Sequence, residues 1–70
     1  MENKKIYWSD IYEIVDYLEQ AHTEQDPRTV LFATLYGWII SIPNFADDPK
    51  KCNEKILERI QQTWCDERGG

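Results

Sequence analysis

The sequence has few of the residues that bind soft metals or carry redox chemistry. It contains two cysteines and one histidine in 70 residues. No Cys-x-x-Cys pair is present, so neither a zinc site nor a thiolate-held cluster has a ligand set. Cys52 and Cys65 fall on the same predicted helix, which puts their Cα atoms about 20 Å apart, beyond disulfide reach. They are therefore free thiols, or one pairs between chains; free thiols point to a reducing compartment, and the expected location is cytoplasmic. Long apolar runs are also missing. The start, Met1-Glu2-Asn3-Lys4-Lys5, is polar and predicts neither a signal peptide nor a membrane span. Internal repeats and low-complexity segments are absent too.

Positive charge is missing where it would matter most. Between Ile6 and Pro27 there is no Lys or Arg, while the same interval holds Asp10, Glu13, Asp16, Glu19, Glu24 and Asp26. The net charge of the chain is −5. Nucleic acid is therefore a poor partner, because phosphate binding depends on clustered Lys and Arg. An acidic chain suits basic protein surfaces or hard cations.

The length fits one domain, residues 1–70, with 1–6 and 68–70 expected to be flexible. A chain this short buries only about 60% of the surface that its unfolded form exposes. Trp8, Trp38 and Trp64 are the expected core anchors, since each buried aromatic removes a large area from water. Such a core leaves little room for a deep, dry catalytic pocket, which argues against an enzyme. No nucleophile stands beside a general base in the sequence either.

What is present reads as helix. Asp10 followed by Glu13 fits a capping box, and a helix runs from there to about His22. Its apolar face is Ile11, Ile14, Val15, Leu18, Ala21 and His22, and His22 reads as structural. Asp26-Pro27 caps a helical turn extending to Val30. A second helix runs from about Thr34 to Ile42, with Leu35, Trp38, Ile39 and Ile42 inward, and Pro43 stops it. Phe45 plugs the core from the following loop. Asp48-Pro49 opens the last helix, whose stripe is Cys52, Ile56, Leu57, Ile60 and Trp64 and which ends near Asp66. The expected fold is mainly α: a small three-helix, winged-helix-like domain with at most short extended segments. The middle helix carries no basic residue, so such a fold does not imply DNA binding here.

Two readings compete for the acids. Glu13–Asp16 and Asp16–Glu19 are i,i+3 pairs, so they can present oxygens to one cation from an open helix face. Asp47 and Asp48 form a second, weaker candidate. The bland alternative is a solvated face that keeps the domain in solution. As a protein-docking surface, the candidate set is Asp10, Glu13, Asp16, Glu19, Glu24, Asp26, Asp47 and Asp48.

Several motifs resemble one family. Trp8-Ser9-Asp10, Glu13-Ile14, Asp26-Pro27-Arg28-Thr29-Val30, Phe32, Trp38-Ile39 and Phe45 stand in its order and spacing. So do Asp47-Asp48-Pro49, Asn53-Glu54-Lys55-Ile56-Leu57-Glu58, Ile60, Trp64 and Asp66-Glu67. The chain is similar, from Trp8 to Glu67, to the IscX (YfhJ) family of small acidic proteins in iron–sulfur cluster assembly. The resemblance implies a winged-helix-like domain without DNA binding, and weak Fe²⁺ binding on acidic patches with no tightly bound cofactor. It implies a non-catalytic adaptor or regulator that binds cysteine desulfurase and competes with frataxin for a basic surface. The alternatives are an iron donor to the cluster scaffold, or a generic acidic interaction domain. The chain departs from the family at Ser41, Pro43, Asn44 and Ala46, where members carry further acids. It also has Cys52 for a serine and Ala33 for a threonine. The acidic patch beside Asp47 and Asp48 is accordingly thinner.

Overall fold

The structure, a computed structural model, describes residues 5–69. Three helices form the body: α1 (Ile11–Ala21), α2 (Phe32–Ile40) and α3 (Glu54–Gly69). Short 3₁₀ turns at Pro27–Thr29 and Pro49–Lys51 join them. Among the described residues the extended structure is one parallel bridge, Ile6 to Phe45. Ile6 N–H donates to the Asn44 carbonyl at 2.9 Å, and Ala46 N–H donates to the Ile6 carbonyl at 2.8 Å. The chain is thus mainly α with minimal extended structure, as its periodicity predicts.

Each helix gives its stripe to one core. Ile14, Val15 and Leu18 of α1 are buried against Leu35 and Ile39 of α2 and Leu57, Ile60 and Trp64 of α3. Ile11, Cys52 and Ile56 sit partly buried at its edge. Ala21, expected on the inner face, is exposed, because α1 ends there and its last turn clears the core. Trp8 is buried, packed edge-on to Phe45 at 5.0 Å and stacked on Tyr36 at 6.2 Å. Its indole N–H donates to the Asp48 carbonyl at 2.9 Å. Trp38 is only half-buried, and lies between His22, stacked at 3.7 Å, and Trp64, edge-on at 6.4 Å.

Several boundaries differ from the sequence reading, each for a local reason. Asp10 does not cap α1 through its side chain. Its carboxylate accepts Tyr7 N–H at 2.9 Å while its own N–H donates to the Tyr7 carbonyl, closing the turn before the helix. The middle helix lies two residues earlier than expected, at Phe32–Ile40 rather than Thr34–Ile42. Pro43 disfavours helical geometry at Ile42, so the helix has to end before that residue. Ile42 still reaches the core from the following turn.

The expected last helix is two elements. Asp48 accepts Lys50 N–H at 2.9 Å and caps only the turn Pro49–Lys51. Cys52 is extended, with φ −69° and ψ 145°, and breaks the run. Asn53 then starts α3, its side-chain oxygen accepting Ile56 N–H at 2.9 Å. Asparagine is among the strongest N-caps, so the second signal defines the helix. At the other end α3 continues to Gly69 instead of stopping near Asp66.

Two residues of the ends expected to be flexible are held in the fold. Ile6 is buried and Arg68 is helical and bonded; residues 1–4 and 70 lie outside the described residues. Side-chain bonds tie the connecting segments to α3. Gln61 Nε2 donates to the carbonyls of Pro27 at 2.7 Å and Val30 at 3.0 Å, anchoring the first 3₁₀ turn.

These placements separate the tryptophans energetically. Trp64→Ala, at a fully buried position, is expected to cost about 3–5 kcal/mol and to unfold much of a domain this size. Trp38→Ala, at a half-buried position, is expected to cost clearly less. Asn53→Ala is expected to cost about 1 kcal/mol through loss of the cap. Urea titrations followed by circular dichroism would rank the three; Trp38→Ala matching Trp64→Ala would contradict the packing described.

Candidate functional site

The surface of α1 is where acid concentrates. Its outward positions carry Tyr12, Glu13 and Asp16, all exposed, with Tyr12 72% accessible. They fall there because the apolar residues at Ile14, Val15 and Leu18 fix the opposite face. Glu24 is exposed just beyond the helix. Asp16 accepts a bond from Gln20 Nε2 at 3.1 Å, an i,i+4 pair that keeps its carboxylate on the same face.

Glu19 has a different task. Trp64 Nε1–H donates to Oε1 at 2.9 Å, and Arg68 Nε donates to Oε1 at 2.8 Å and Oε2 at 3.1 Å. Arg68 Nη1 also donates to the Gln25 carbonyl at 2.8 Å, and its guanidinium lies 5.9 Å from the Trp64 ring. The Trp64 indole, then Arg68, hold the Glu19 carboxyl below the ordinary glutamate range. This clamp joins α1 to α3 and removes Glu19 from the Glu13–Asp16–Glu19 ladder.

Four other predicted acids also serve local structure. Asp10 closes the turn at Tyr7. Asp26 accepts Arg28 N–H at 3.0 Å and Arg28 Nε at 3.3 Å, and these bonds lower its carboxyl pKa, the backbone bond foremost. Asp47 accepts Trp8 N–H at 3.0 Å and Asp48 N–H at 2.7 Å, with Lys51 Nζ at 3.8 Å. Those two backbone donors are the main reason its carboxyl lies below the usual range. Asp48 caps the turn at Lys50. Among the described residues no three His, Cys, Asp or Glu side chains converge on a point that would hold a metal ion.

The eight candidate acids therefore do not form one face. Glu13 and Asp16 stay together on α1. Asp16, Glu19 and Glu67 border a groove of about 380 Å³ that also touches Tyr12 and Arg68. Glu24 and Asp26 lie by a second groove with Arg28, Arg68 and Cys65. Asp47 borders a third groove, with Lys51 and Arg59. The sequence reading missed two residues of this surface, Glu67 and Arg68. An Arg after a buried Trp near the end of the last helix gives no local sign of its partner, because Glu19 is forty-nine positions away. Both thiols are free and half-buried, and burial pushes the Cys52 thiol up, away from nucleophilic use.

The Glu19 clamp carries a pH signature. A carboxyl whose folded pKa is lowered adds stability above its unfolded value, ordinarily 4.5 for glutamate, and loses it as pH falls through the folded value. Glu19→Gln is therefore expected to be less stable than wild type near neutrality. The gap should shrink as pH falls below about 4. Thermal melts across that range would check it, and a gap independent of pH would place the stabilisation elsewhere.

A family model described as iron-sulphur cluster assembly matches residues 6–69. An uncharacterized protein of Pseudomonas aeruginosa is 44% identical over 61 residues, which span 87% of this chain and 92% of that protein. A match covering nearly the whole chain, from the Ile6 bridge to the end of α3, makes this protein a member of that iron–sulfur cluster assembly family, the IscX (YfhJ) family.

Proposed function

We propose that this protein is a non-catalytic adaptor of iron–sulfur cluster assembly, working in the cytoplasm and docking on a basic surface of cysteine desulfurase through the acidic face of α1. The observation that carries the reading is the outward pairing of Glu13 and Asp16 beside the exposed Tyr12, in a stretch without Lys or Arg. Carboxylates around an exposed aromatic suit a basic partner: the charges steer the encounter, and the ring supplies buried area. Glu24 extends the face. Asp10, Asp26, Asp47 and Asp48 support it indirectly, by fixing the turns on either side. Frataxin, in this reading, competes for the same basic surface of the desulfurase.

Iron enters as weakly held cargo. Glu13 and Asp16 are the candidate ligands, one turn apart on an open face. Glu19 is engaged by Arg68 and Trp64, and Asp47 and Asp48 by backbone N–H groups. Fe²⁺ with two carboxylates and water has neither the charge count nor the enclosure of a tight site. The residues present thus fit transient Fe²⁺ contact and do not fit a resident ion, which favours the adaptor over the iron donor.

The adaptor reading is tested by binding to purified cysteine desulfurase. Affinity is expected to fall steeply between about 0.05 and 0.5 M salt, as screening shortens to a few Å. Asp16→Lys should slow association by on the order of tenfold. Removing ferrous iron with a chelator should leave binding intact. An interaction flat with salt would remove the electrostatic basis, and one abolished by the chelator would favour the iron donor.

A further inference from the structure

Positive charge in this acidic chain is concentrated in one place. Of its eight Lys and Arg residues, Lys50, Lys51, Lys55 and Arg59 fall within ten consecutive positions. All four are exposed. Of the other described cations, Arg28 is paired with Asp26 and Arg68 with Glu19. Lys51 reaches Asp47 only at 3.8 Å, and Arg59 makes no hydrogen bond or ion pair among the described residues.

Beside these cations lies an open groove of about 670 Å³ between the start of α1 and the first half of α3. Trp8, Ile11, Tyr12 and Ile56 give it apolar walls, and Lys51 and Arg59 its charge. Asp47 also borders it, but its carboxylate already accepts two backbone N–H groups. Tyr12 forms the ridge between this groove and the acidic one further along α1. The seam between the two helices therefore changes sign along its length, cationic beside Arg59 and anionic beside Asp16 and Glu67.

We infer that the groove is a second docking surface, and that its occupant is an acidic peptide segment carrying one large apolar side chain. The apolar walls take that side chain, while Arg59 and Lys51 pair with flanking carboxylates. Nucleic acid is a poorer match, because Glu54 and Glu58 alternate with Lys55 and Arg59 on the exposed side of α3 and would meet an unbroken row of phosphates. A second copy of the chain is poorer too. An acidic face set into a cationic groove is a head-to-tail contact that leaves an open site at each end. The groove meets the acidic face of α1 at Tyr12 but takes its charge from α3 and the turn before it, so it suits a partner of the opposite charge.

The probe is a fluorescein-labelled peptide of about ten residues, rich in Asp and Glu around a single Phe, followed by anisotropy at low salt. The expected result is saturable binding that Arg59→Glu weakens by about tenfold or more, and that replacing Phe with Ser in the peptide also weakens. Arg28→Glu, outside the groove, should weaken it much less than Arg59→Glu when the comparison is repeated at about 0.15 M salt, where the screening length is about 8 Å. Arg59→Gln, which removes the charge without reversing it, should give an intermediate loss, and circular dichroism shows whether the variants are folded. Affinity indifferent to Arg59, or no binding by the folded wild type, would overturn the assignment. So would equal binding of oligothymidylate. Sedimentation in which wild type self-associates and Arg59→Glu does not would assign the groove to a second copy instead.

Discussion

The indole of Trp64 sets the terms for the rest of the domain. It is fully buried at the centre of a small core, and a buried indole N–H needs an acceptor. Glu19 supplies it, and its carboxylate, still 36% accessible, is strengthened in that place by a counter-charge. Arg68 supplies that charge from one turn further along α3, and its remaining reach ends on the Gln25 carbonyl. One aromatic thus dictates an acid on α1, a base on α3 and the path of the chain after α1. Trp64 edge-on to Trp38, and Trp38 stacked on His22, extend the same constraint to α2 and to the end of α1.

A second constraint fixes the opposite end. Trp8 is held by the turn Asp47-Asp48-Pro49, through its backbone N–H to Asp47 and its indole N–H to Asp48. The neighbouring bridge of Ile6 and Phe45 adds two backbone bonds. In a chain with this little core, such bonds decide where the ends sit. They also account for acids that the sequence offers as binding residues: Asp47 and Asp48 organise the approach to α3. The groove beside Trp8 is a by-product of this docking, since the turn sets Lys51 opposite Ile11 and Tyr12.

Charge in this protein therefore divides into two groups. Asp10, Glu19, Asp26, Asp47 and Asp48 face donors at hydrogen-bond distance and hold the fold. Glu13, Asp16 and Glu24 are exposed on and beyond α1, Asp16 bonded only within its own helix, and Lys50, Lys51, Lys55 and Arg59 are exposed around the start of α3. A net charge of −5 hides this separation, because the sum says nothing about where either sign is displayed. Membership of an iron–sulfur cluster assembly family gives the outward groups their context.

The apolar spacing of Ile14, Val15 and Leu18, of Leu35 and Ile39, and of Leu57, Ile60 and Trp64 was enough to place three helices and most of the core. That information is local: a stripe at helical period has only one way to be buried. The basic-free interval that marks α1 was equally legible, being a matter of composition. Boundaries were less so. Asp48-Pro49 and Asn53 are both sound start signals, and only the extended backbone at Cys52 decides that they start different elements. The roles of the acids lay beyond local reading altogether. Whether Glu19 points to solvent or to Trp64, and whether Asp47 offers oxygens or consumes N–H groups, depends on residues about forty or more positions away. Spacing along the chain carries no record of such contacts, because they exist only once helices with independent periodicities have been packed together.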